Sequence, residues 1–168
     1  MPPCIPSSVV LRRTVDYFSQ VFFTKTVLPT FLKQKSGRVV FVSSVAGLLG
    51  TQYRASYSAA KAAIHMWANS LRAEVSKDEV EVSVVFPGFV KTNVSCNALN
   101  GEGKPQGHQD EAIENGLDAD VFAQRVVEAL MAGEEYVVVG GKKEQLGVLV
   151  SRLSPSLLYK MIRKTKVK

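Results

Sequence analysis

Apolar residues follow two patterns along this chain, and the alternation between them predicts its secondary structure. Between residues 14 and 35 they recur every three or four positions, which predicts an amphipathic helix. Pro29 lies within this stretch and is expected to kink or end the helix. A second helix is expected over 56–76, where four alanines leave little side-chain bulk, and an apolar recurrence predicts a third over 118–132.

Short apolar segments predict strands over 38–43, 80–86 and 135–139. The apolar run within 38–43 does not alternate with polar residues, which is typical of a parallel strand that is covered on both faces. The order of elements is then α-β-α-β-α-β-α, which predicts an α/β fold with right-handed crossovers. A chain of 168 residues with 46% hydrophobic content is expected to build one core.

Two stretches depart from this alternation. Residues 93–117 are polar and have no period, and a loop of that length is expected to be a functional lid or disordered. From Leu146 to Ile162 apolar residues again recur at helical spacing, interrupted by Pro155.

The net charge of +6 is concentrated at the carboxyl end. Residues 142–168 carry eight Lys or Arg and only one acidic residue, Glu144. The preceding residues carry thirteen basic and fourteen acidic side chains and are therefore nearly neutral. A neutral body argues against nucleic-acid binding.

The cysteines and histidines show no metal-ligand spacing, so the sequence predicts no metal site. Cys4 and Cys96 suit a reducing compartment. His65 is expected on a helix surface and His108 in a loop.

The candidate chemistry lies in Ser44, Tyr57 and Lys61. Tyr57 and Lys61 are four residues apart in the second predicted helix and therefore share one of its faces. A neighbouring ammonium favours phenolate, which a general acid/base needs. Ser44 directly follows the first predicted strand, at the strand end where open α/β sheets bind ligands.

The chain resembles the short-chain dehydrogenase/reductase family in three features. They are the spacing of Ser44, Tyr57 and Lys61, the Ser-Ser-Val-Ala-Gly run at 43–47 and the Pro-Gly-Phe-Val-Lys-Thr run at 87–92. Within that family, the sequence most resembles the membrane-associated, steroid- and retinoid-like branch. The resemblance implies a Rossmann-like, doubly wound parallel sheet. It divides the chain into a non-family start at 1–13, a partial Rossmann-like domain at 14–141 and a basic amphipathic tail at 142–168.

The family's usual opening strand and Gly-x-x-x-Gly-x-Gly turn, which holds the cofactor pyrophosphate, have no counterpart here. The first glycine of the chain is Gly37. We therefore expect the carboxyl-terminal part of such a fold, with the dinucleotide-binding half missing and the isolated chain inactive. The residues that choose between NAD and NADP are also absent, so the resemblance implies either cofactor.

The resemblance implies a role for each candidate residue. Tyr57 would exchange a proton with the substrate oxygen, Ser44 would hold that oxygen, and Lys61 would assist Tyr57 and bind the nicotinamide ribose. The nicotinamide side would be lined by Pro87, Gly88, Val90 and Thr92.

Asp16 occupies the position where many family members carry an asparagine that orients a proton-relaying water. An ionised carboxylate only accepts hydrogen bonds, and its charge would hold the Lys61 ammonium. Asp16 therefore either replaces the relay residue or serves as a helix N-cap.

Two functions follow as hypotheses. The first is an NAD(P)-dependent oxidoreductase that acts on a small lipophilic carbonyl or secondary alcohol. The second is a non-catalytic, truncated fragment that pairs with a full-length relative. The resemblance implies homo- or hetero-oligomers through the helices at 14–35 and 56–76.

The tail also leaves two interpretations open. A basic amphipathic helix can rest on an anionic membrane surface, or it can cap the substrate site. The final residues, 164–168, resemble a dilysine retrieval signal, which favours the endoplasmic reticulum membrane. The other predicted location is the cytoplasm, and either would be on the reducing side.

Overall fold

The structure, a computed structural model, describes residues 13–98 and 104–164. A π-helical turn, Thr14–Phe18, leads directly into the first α-helix. The helices are α1 (Ser19–Gln34), α2 (Ala46–Leu49), α3 (Ala55–Glu74), α4 (Glu111–Glu114), α5 (Ala119–Met131), α6 (Lys142–Leu153) and α7 (Pro155–Lys164), and the strands are β1 (Gly37–Val42), β2 (Val80–Pro87) and β3 (Tyr136–Val139).

The strands form one parallel sheet in the order β1-β2-β3. Gly37 is opposite Val80 where β1 meets β2, and Val84 is opposite Tyr136 where β2 meets β3. Parallel neighbours require crossover connections, and α3 and α5 lie in the two segments that provide them.

Helices cover both faces of this sheet. On one face, Phe41 and Val84 pack with α1, α3 and α6 in a core that includes Ile64 and Val148. On the other face, Val85, Val137 and Val139 pack against α5. The predicted class, an α/β fold that matches part of a Rossmann-like doubly wound sheet, is confirmed.

Strand β1 lies at an edge of the described sheet, where it pairs with β2. The side chains of Val40 and Val42 are 37% and 50% exposed on the face that α5 covers over β2 and β3. An apolar edge of this kind can pair with another strand.

Most predicted elements are found within two residues of their expected limits. Of the two effects predicted for Pro29, a kink or the end of the helix, the end does not occur there. Pro29 lies inside α1, which continues to Gln34. The helix ends because Lys35 adopts a left-handed conformation, with φ of 53°. Gly37 completes the turn with φ of 153°, where a β-carbon would lie 2.6 Å from Phe31 Cγ. The helix end is therefore set by this turn rather than by Pro29.

The two irregular stretches also acquire structure. Within 93–117, helix α4 forms, and Val90 makes an isolated parallel bridge with Leu117. The tail folds as two helices, α6 and α7, that are separated by Ser154 as the position of Pro155 predicted. Cys4 and the dilysine-like residues 165–168 lie outside the described part, and the division of the chain at residues 13 and 141 stays a prediction.

Candidate active site

Ser44 lies where β1 ends beside β2. Backbone pairing continues past the strand, because Ser43 N donates to Val85 O at 2.8 Å and Val45 N donates to Pro87 O at 2.9 Å. The Ser44 hydroxyl donates to Pro87 O at 3.4 Å and accepts a bond from Ala46 N at 3.1 Å. These contacts hold the hydroxyl at the carboxyl edge of the sheet, as predicted.

Lys61 reaches the same edge from α3. Its Nζ atom donates to Val42 O at 3.1 Å and lies 3.4 Å from Asp16 Oδ1. The side chains of Lys61 and Asp16 are only 12% and 20% exposed. An ion pair this well shielded from water is less weakened by salt than a surface pair.

Tyr57 lies one helical turn before Lys61 and is half-buried. The ammonium of Lys61 lies 5.7 Å from the centroid of the Tyr57 ring. The helical spacing therefore predicted their proximity correctly. Asp16, Ser44, Tyr57 and Lys61 converge on one end of the sheet from three separate segments of the chain.

The structure excludes one interpretation of Asp16. The described helix already includes Thr14, and the residue at its N-cap is Arg13, so Asp16 is not the N-cap. Its carboxylate contacts Lys61 instead. The interpretation that remains from the sequence is a carboxylate at the relay position.

A close contact between α2 and α3 fixes the position of Lys61. A β-carbon on Gly47 would lie 2.8 Å from the carbonyl carbon of Lys61. The Ser43 hydroxyl donates to Lys61 O at 2.7 Å. These two roles were not predicted from the sequence, although Ser43 and Gly47 both belong to the 43–47 run.

The segment after β2 is arranged in two parts. Gly88 N donates to Val139 O at 2.8 Å, and a β-carbon on Gly88 would lie 2.9 Å from Gly140 Cα, so glycine allows the ends of β2 and β3 to approach closely. Val90 pairs with Leu117, and the exposed Thr92 hydroxyl donates to Val90 O at 3.4 Å. Pro87 therefore contacts Ser44. Val90 and Thr92 lie in the loop after β2 and contact other residues of that loop.

An ion pair ties the polar loop to the start of α3. Arg54 Nη2 lies 3.1 Å from Asp110 Oδ2, and Gln106 Nε2 donates to Asp110 Oδ1 at 2.9 Å. Arg54 precedes Tyr57 by three residues, so the loop is anchored beside the candidate site. Nothing in the spacing of Arg54 and Asp110 along the sequence could have indicated this pair.

His65 was expected on a helix surface, and in the structure it is half-buried. Its ring packs edge-on against Phe86, with 4.9 Å between centroids, and Asn69 Nδ2 lies 3.0 Å from its Nε2 atom. Arg72 Nη1 donates to Asn69 Oδ1, which orients the Asn69 amide to donate to His65. Burial lowers the pKa of His65, and the charges of Arg72 and Arg152 lower it further.

We expect stability to decrease in mildly acidic solution through His65. Because its pKa is lower in the folded state, the unfolded chain binds more protons once the pH falls below about 6.5. This contribution is fully present above about pH 6.5 and is lost as the pH falls toward the folded pKa. Chemical denaturation of the natural chain, His65→Gln and the loop control His108→Gln should show a shallower acid dependence for His65→Gln alone. An equal dependence in all three chains would contradict this.

Comparison with known proteins identifies relatives of this chain. A family model described as short chain dehydrogenase matches residues 13–102. The dehydrogenase/reductase SDR family protein 7-like of Drosophila melanogaster is 38% identical over 154 residues, which cover 92% of this chain and 47% of that protein. The dehydrogenase/reductase SDR family member 7B of Xenopus laevis is 35% identical over 158 residues, which cover 91% and 49%.

Solved structures share the fold. A short chain dehydrogenase from Burkholderia cenocepacia in complex with NADP superposes with a TM-score of 0.77 at 23% identity, covering 97% of this chain and 62% of that one. A short chain dehydrogenase/reductase from Burkholderia phymatum in complex with NAD gives 0.61 at 22% identity, covering 85% and 56%.

The chain belongs to the short-chain dehydrogenase family, as the motifs predicted. It spans about half the length of the curated relatives it matches. Among the described residues, no group of three or more His, Cys, Asp and Glu side chains could hold a metal ion.

Proposed function

We propose that this chain carries the proton-transferring site of an NAD- or NADP-dependent oxidoreductase that interconverts a carbonyl and a secondary alcohol. The observation that carries the proposal is the convergence of Ser44, Tyr57 and Lys61 at the carboxyl edge of a parallel sheet. Ligands of open α/β folds bind at this edge. The solved relatives in complex with NADP and with NAD support a nicotinamide cofactor of either kind.

The residues present suit such a cofactor and its reaction. The Lys61 ammonium offers donors to ribose hydroxyls, and the exposed Thr92 hydroxyl can donate to an amide oxygen. With Pro87, Gly88 and Val90, Thr92 would line the nicotinamide side. The cofactor, when bound, supplies or accepts the hydride.

The chain's own residues handle the proton. The Tyr57 hydroxyl donates its proton to the substrate oxygen during reduction and receives one during oxidation. The Ser44 hydroxyl holds that oxygen by a hydrogen bond. The Lys61 ammonium, 5.7 Å from the centroid of the Tyr57 ring, places a positive charge beside this proton transfer.

We propose a lipophilic substrate. An exposed apolar side chain on the loop that begins after β2 supports this: Val94, two residues after Thr92, is 59% exposed. Turnover of a hydrophobic ketone in preference to a short polar one would support this substrate class, and the reverse preference would overturn it.

A chimera provides the test of the reaction. Residues 13–164 would replace the matching segment of the Drosophila relative, and oxidation of NADPH and NADH by a hydrophobic ketone would be followed by absorbance. We expect ketone-dependent oxidation of one of the two cofactors. Its absence in a folded chimera, while the parent relative turns over, would contradict the proposal.

The Asp16–Lys61 ion pair gives a prediction about rate. In the chimera, Asp16→Asn is expected to raise turnover by up to about tenfold, because Lys61 would no longer be paired with a carboxylate and could act more fully on Tyr57. The thermal midpoint should fall, since the Lys61 charge would lose its partner. The surface pair variant Asp78→Asn, which removes a partner of Lys35, serves as control. Unchanged turnover in Asp16→Asn would show that the carboxylate does not limit catalysis.

A second candidate function is non-catalytic pairing with a full-length relative. It is favoured by the exposed β1 edge and by apolar side chains on the helices predicted to form the oligomer interface: Phe18, Phe22, Phe23 and Met66 are 40%, 65%, 69% and 60% exposed. Such a surface can be covered by a second helix pair, so we also propose oligomers through Thr14–Phe18, α1 and α3.

Calorimetric titration of the 168-residue chain separates the two candidates. We expect NADPH and NADH to bind weakly or not at all, because the first glycine is Gly37 and a glycine-rich turn before β1 is therefore absent from this sequence. Submicromolar binding of either cofactor would contradict this and would favour a catalytic role for the chain by itself.

We also propose a cellular location for the protein. The basic carboxyl-terminal residues support the endoplasmic reticulum membrane surface, and the cytoplasm is the alternative, on the reducing side in both cases. No helix in the described part of the chain has the length and apolar character needed to cross a membrane.

A further inference from the structure

Helices α6 and α7 form a hairpin, defined here as residues 142–164, with an inner and an outer surface. Gly147, Val148 and Leu158 are buried on the inner surface. A β-carbon on Gly147 would lie 2.9 Å from Leu49 Cδ1, so α6 packs closely against α2. The hairpin is therefore docked on the body beside the segment that carries Ser44.

The outer surface is apolar. Leu146, Leu149 and Leu153 recur at spacings of three and four along α6 and are 54%, 52% and 77% exposed. Leu157 and Met161 continue this spacing along α7 and are 49% and 40% exposed. Single exposed leucines are ordinary, but a row of them marks a surface that binds something apolar.

The charged side chains of the hairpin are almost all positive. Lys142, Lys143, Lys160 and Arg163 are exposed, whereas Glu144 is the only acidic residue between 142 and 164. The Glu144 carboxylate turns back toward the β3–α6 junction, where its Oε2 atom would lie 2.7 Å from a β-carbon on Gly141. The outer surface thus combines apolar side chains with cations and carries no neighbouring anion within the hairpin.

Exposed apolar side chains next to cations are typical of a helix that binds a membrane surface. An amphipathic helix that lies in a membrane interface has apolar side chains on one side and Lys or Arg beside them. Tyr159, 57% exposed on α7, adds an aromatic ring with a polar tip, the kind of side chain that favours the boundary between water and an apolar phase.

We propose that the outer surface of the α6–α7 hairpin binds an anionic lipid bilayer, with its leucines among the acyl chains and Lys160 and Arg163 at the headgroups. The inner surface of the hairpin remains packed on the body when the outer surface meets the bilayer. Gln52 Nε2 donates to Ile162 O and Arg163 O, both at 3.4 Å, so the end of α7 lies at the loop that leads to Tyr57. The two alternatives for the tail are therefore compatible: its inner surface packs near the site and its outer surface meets lipid. The proposal does not depend on the proposed reaction.

The test is sedimentation of the 168-residue chain with vesicles of phosphatidylcholine, with and without phosphatidylserine. We expect binding to the anionic vesicles that weakens with added salt, because the cations act within a Debye length of the surface. The double variant Leu153→Ser/Leu157→Ser should lose at least about tenfold in partition coefficient. Its matched control, Val121→Ser/Met131→Ser, changes two exposed apolar residues of α5 and should bind like the natural chain.

Reversing the charge of two cations provides a second test, which does not depend on apolar substitutions. Lys160→Glu/Arg163→Glu should lose binding to the anionic vesicles, and Lys25→Glu/Arg125→Glu, which changes exposed cations elsewhere, should retain most of it. Circular dichroism confirms that each variant is folded. Equal binding by the hairpin and control variants would overturn the proposal, as would the absence of vesicle binding by the natural chain.

Discussion

Replacing Tyr57 by phenylalanine is expected to lower the turnover of the chimeric enzyme by about 10² to 10⁴, the usual contribution of a positioned acid/base. The substitution removes only the hydroxyl and leaves the ring beside Lys61. Tyr57 is half-buried at the start of α3, so the fold and the thermal midpoint should change little. Steady-state rates, measured with the cofactor and a hydrophobic ketone, provide the comparison.

Two controls accompany this variant. Tyr53→Phe removes a hydroxyl from an 86% exposed ring four residues upstream and should leave turnover unchanged. Ser44→Ala should reduce turnover without abolishing the Tyr57 proton transfer. Substantial turnover by Tyr57→Phe in a folded chimera would refute the assignment of Tyr57 as the proton donor.

The second large effect is expected from Gly47→Ala. The added methyl group would lie 2.8 Å from the backbone of Lys61, and backbone cannot rotate away as a side chain can. Overpacking of this kind costs about 1–3 kcal/mol, and here it would also push α3 away from the end of β1. Both the free energy of unfolding and the chimera's turnover should fall, because Ser44 and Lys61 would separate.

Gly147→Ala is the matched comparison, since Gly147 is also a helical glycine whose added methyl group would meet a neighbour at 2.9 Å. That neighbour is the end of the flexible Leu49 side chain, which can move. Alanine in a helix interior is favoured over glycine by about 0.5–1 kcal/mol, so this variant should be neutral or more stable. Denaturant unfolding that showed equal losses in both variants would contradict the distinction between backbone and side-chain contacts.

The parts of the site that the sequence predicted depend on local geometry. Tyr57 and Lys61 are linked by helical periodicity, which fixes their separation once the helix forms. Ser44 was placed by the end of an apolar strand, and β1 does end at Val42. The sheet was predictable for the same reason, because short apolar segments between helices suit parallel strands that are covered on both faces.

The features that the sequence did not predict depend on contacts between distant segments. Arg54 and Asp110 are far apart in the chain, and their ion pair exists only because the loop after β2 folds back over the start of α3. His65 was expected at the surface because helical spacing alone does not show which side of α3 faces Phe86. Pro29 did not end α1, since the left-handed Lys35 and the turn at Gly37 determine where the helix stops.

Isotope transfer in the chimera is the most direct test of the proposed hydride and proton transfer. NADPH and NADH that carry deuterium at the transferable position of the nicotinamide would be incubated separately with a hydrophobic ketone, and the alcohol would be analysed by mass spectrometry. We predict one deuterium on the carbinol carbon with one of the two cofactors. The Tyr57→Phe variant should form neither the alcohol nor, therefore, the label on it. Alcohol formed without deuterium, or labelled alcohol formed equally well by Tyr57→Phe, would contradict this prediction.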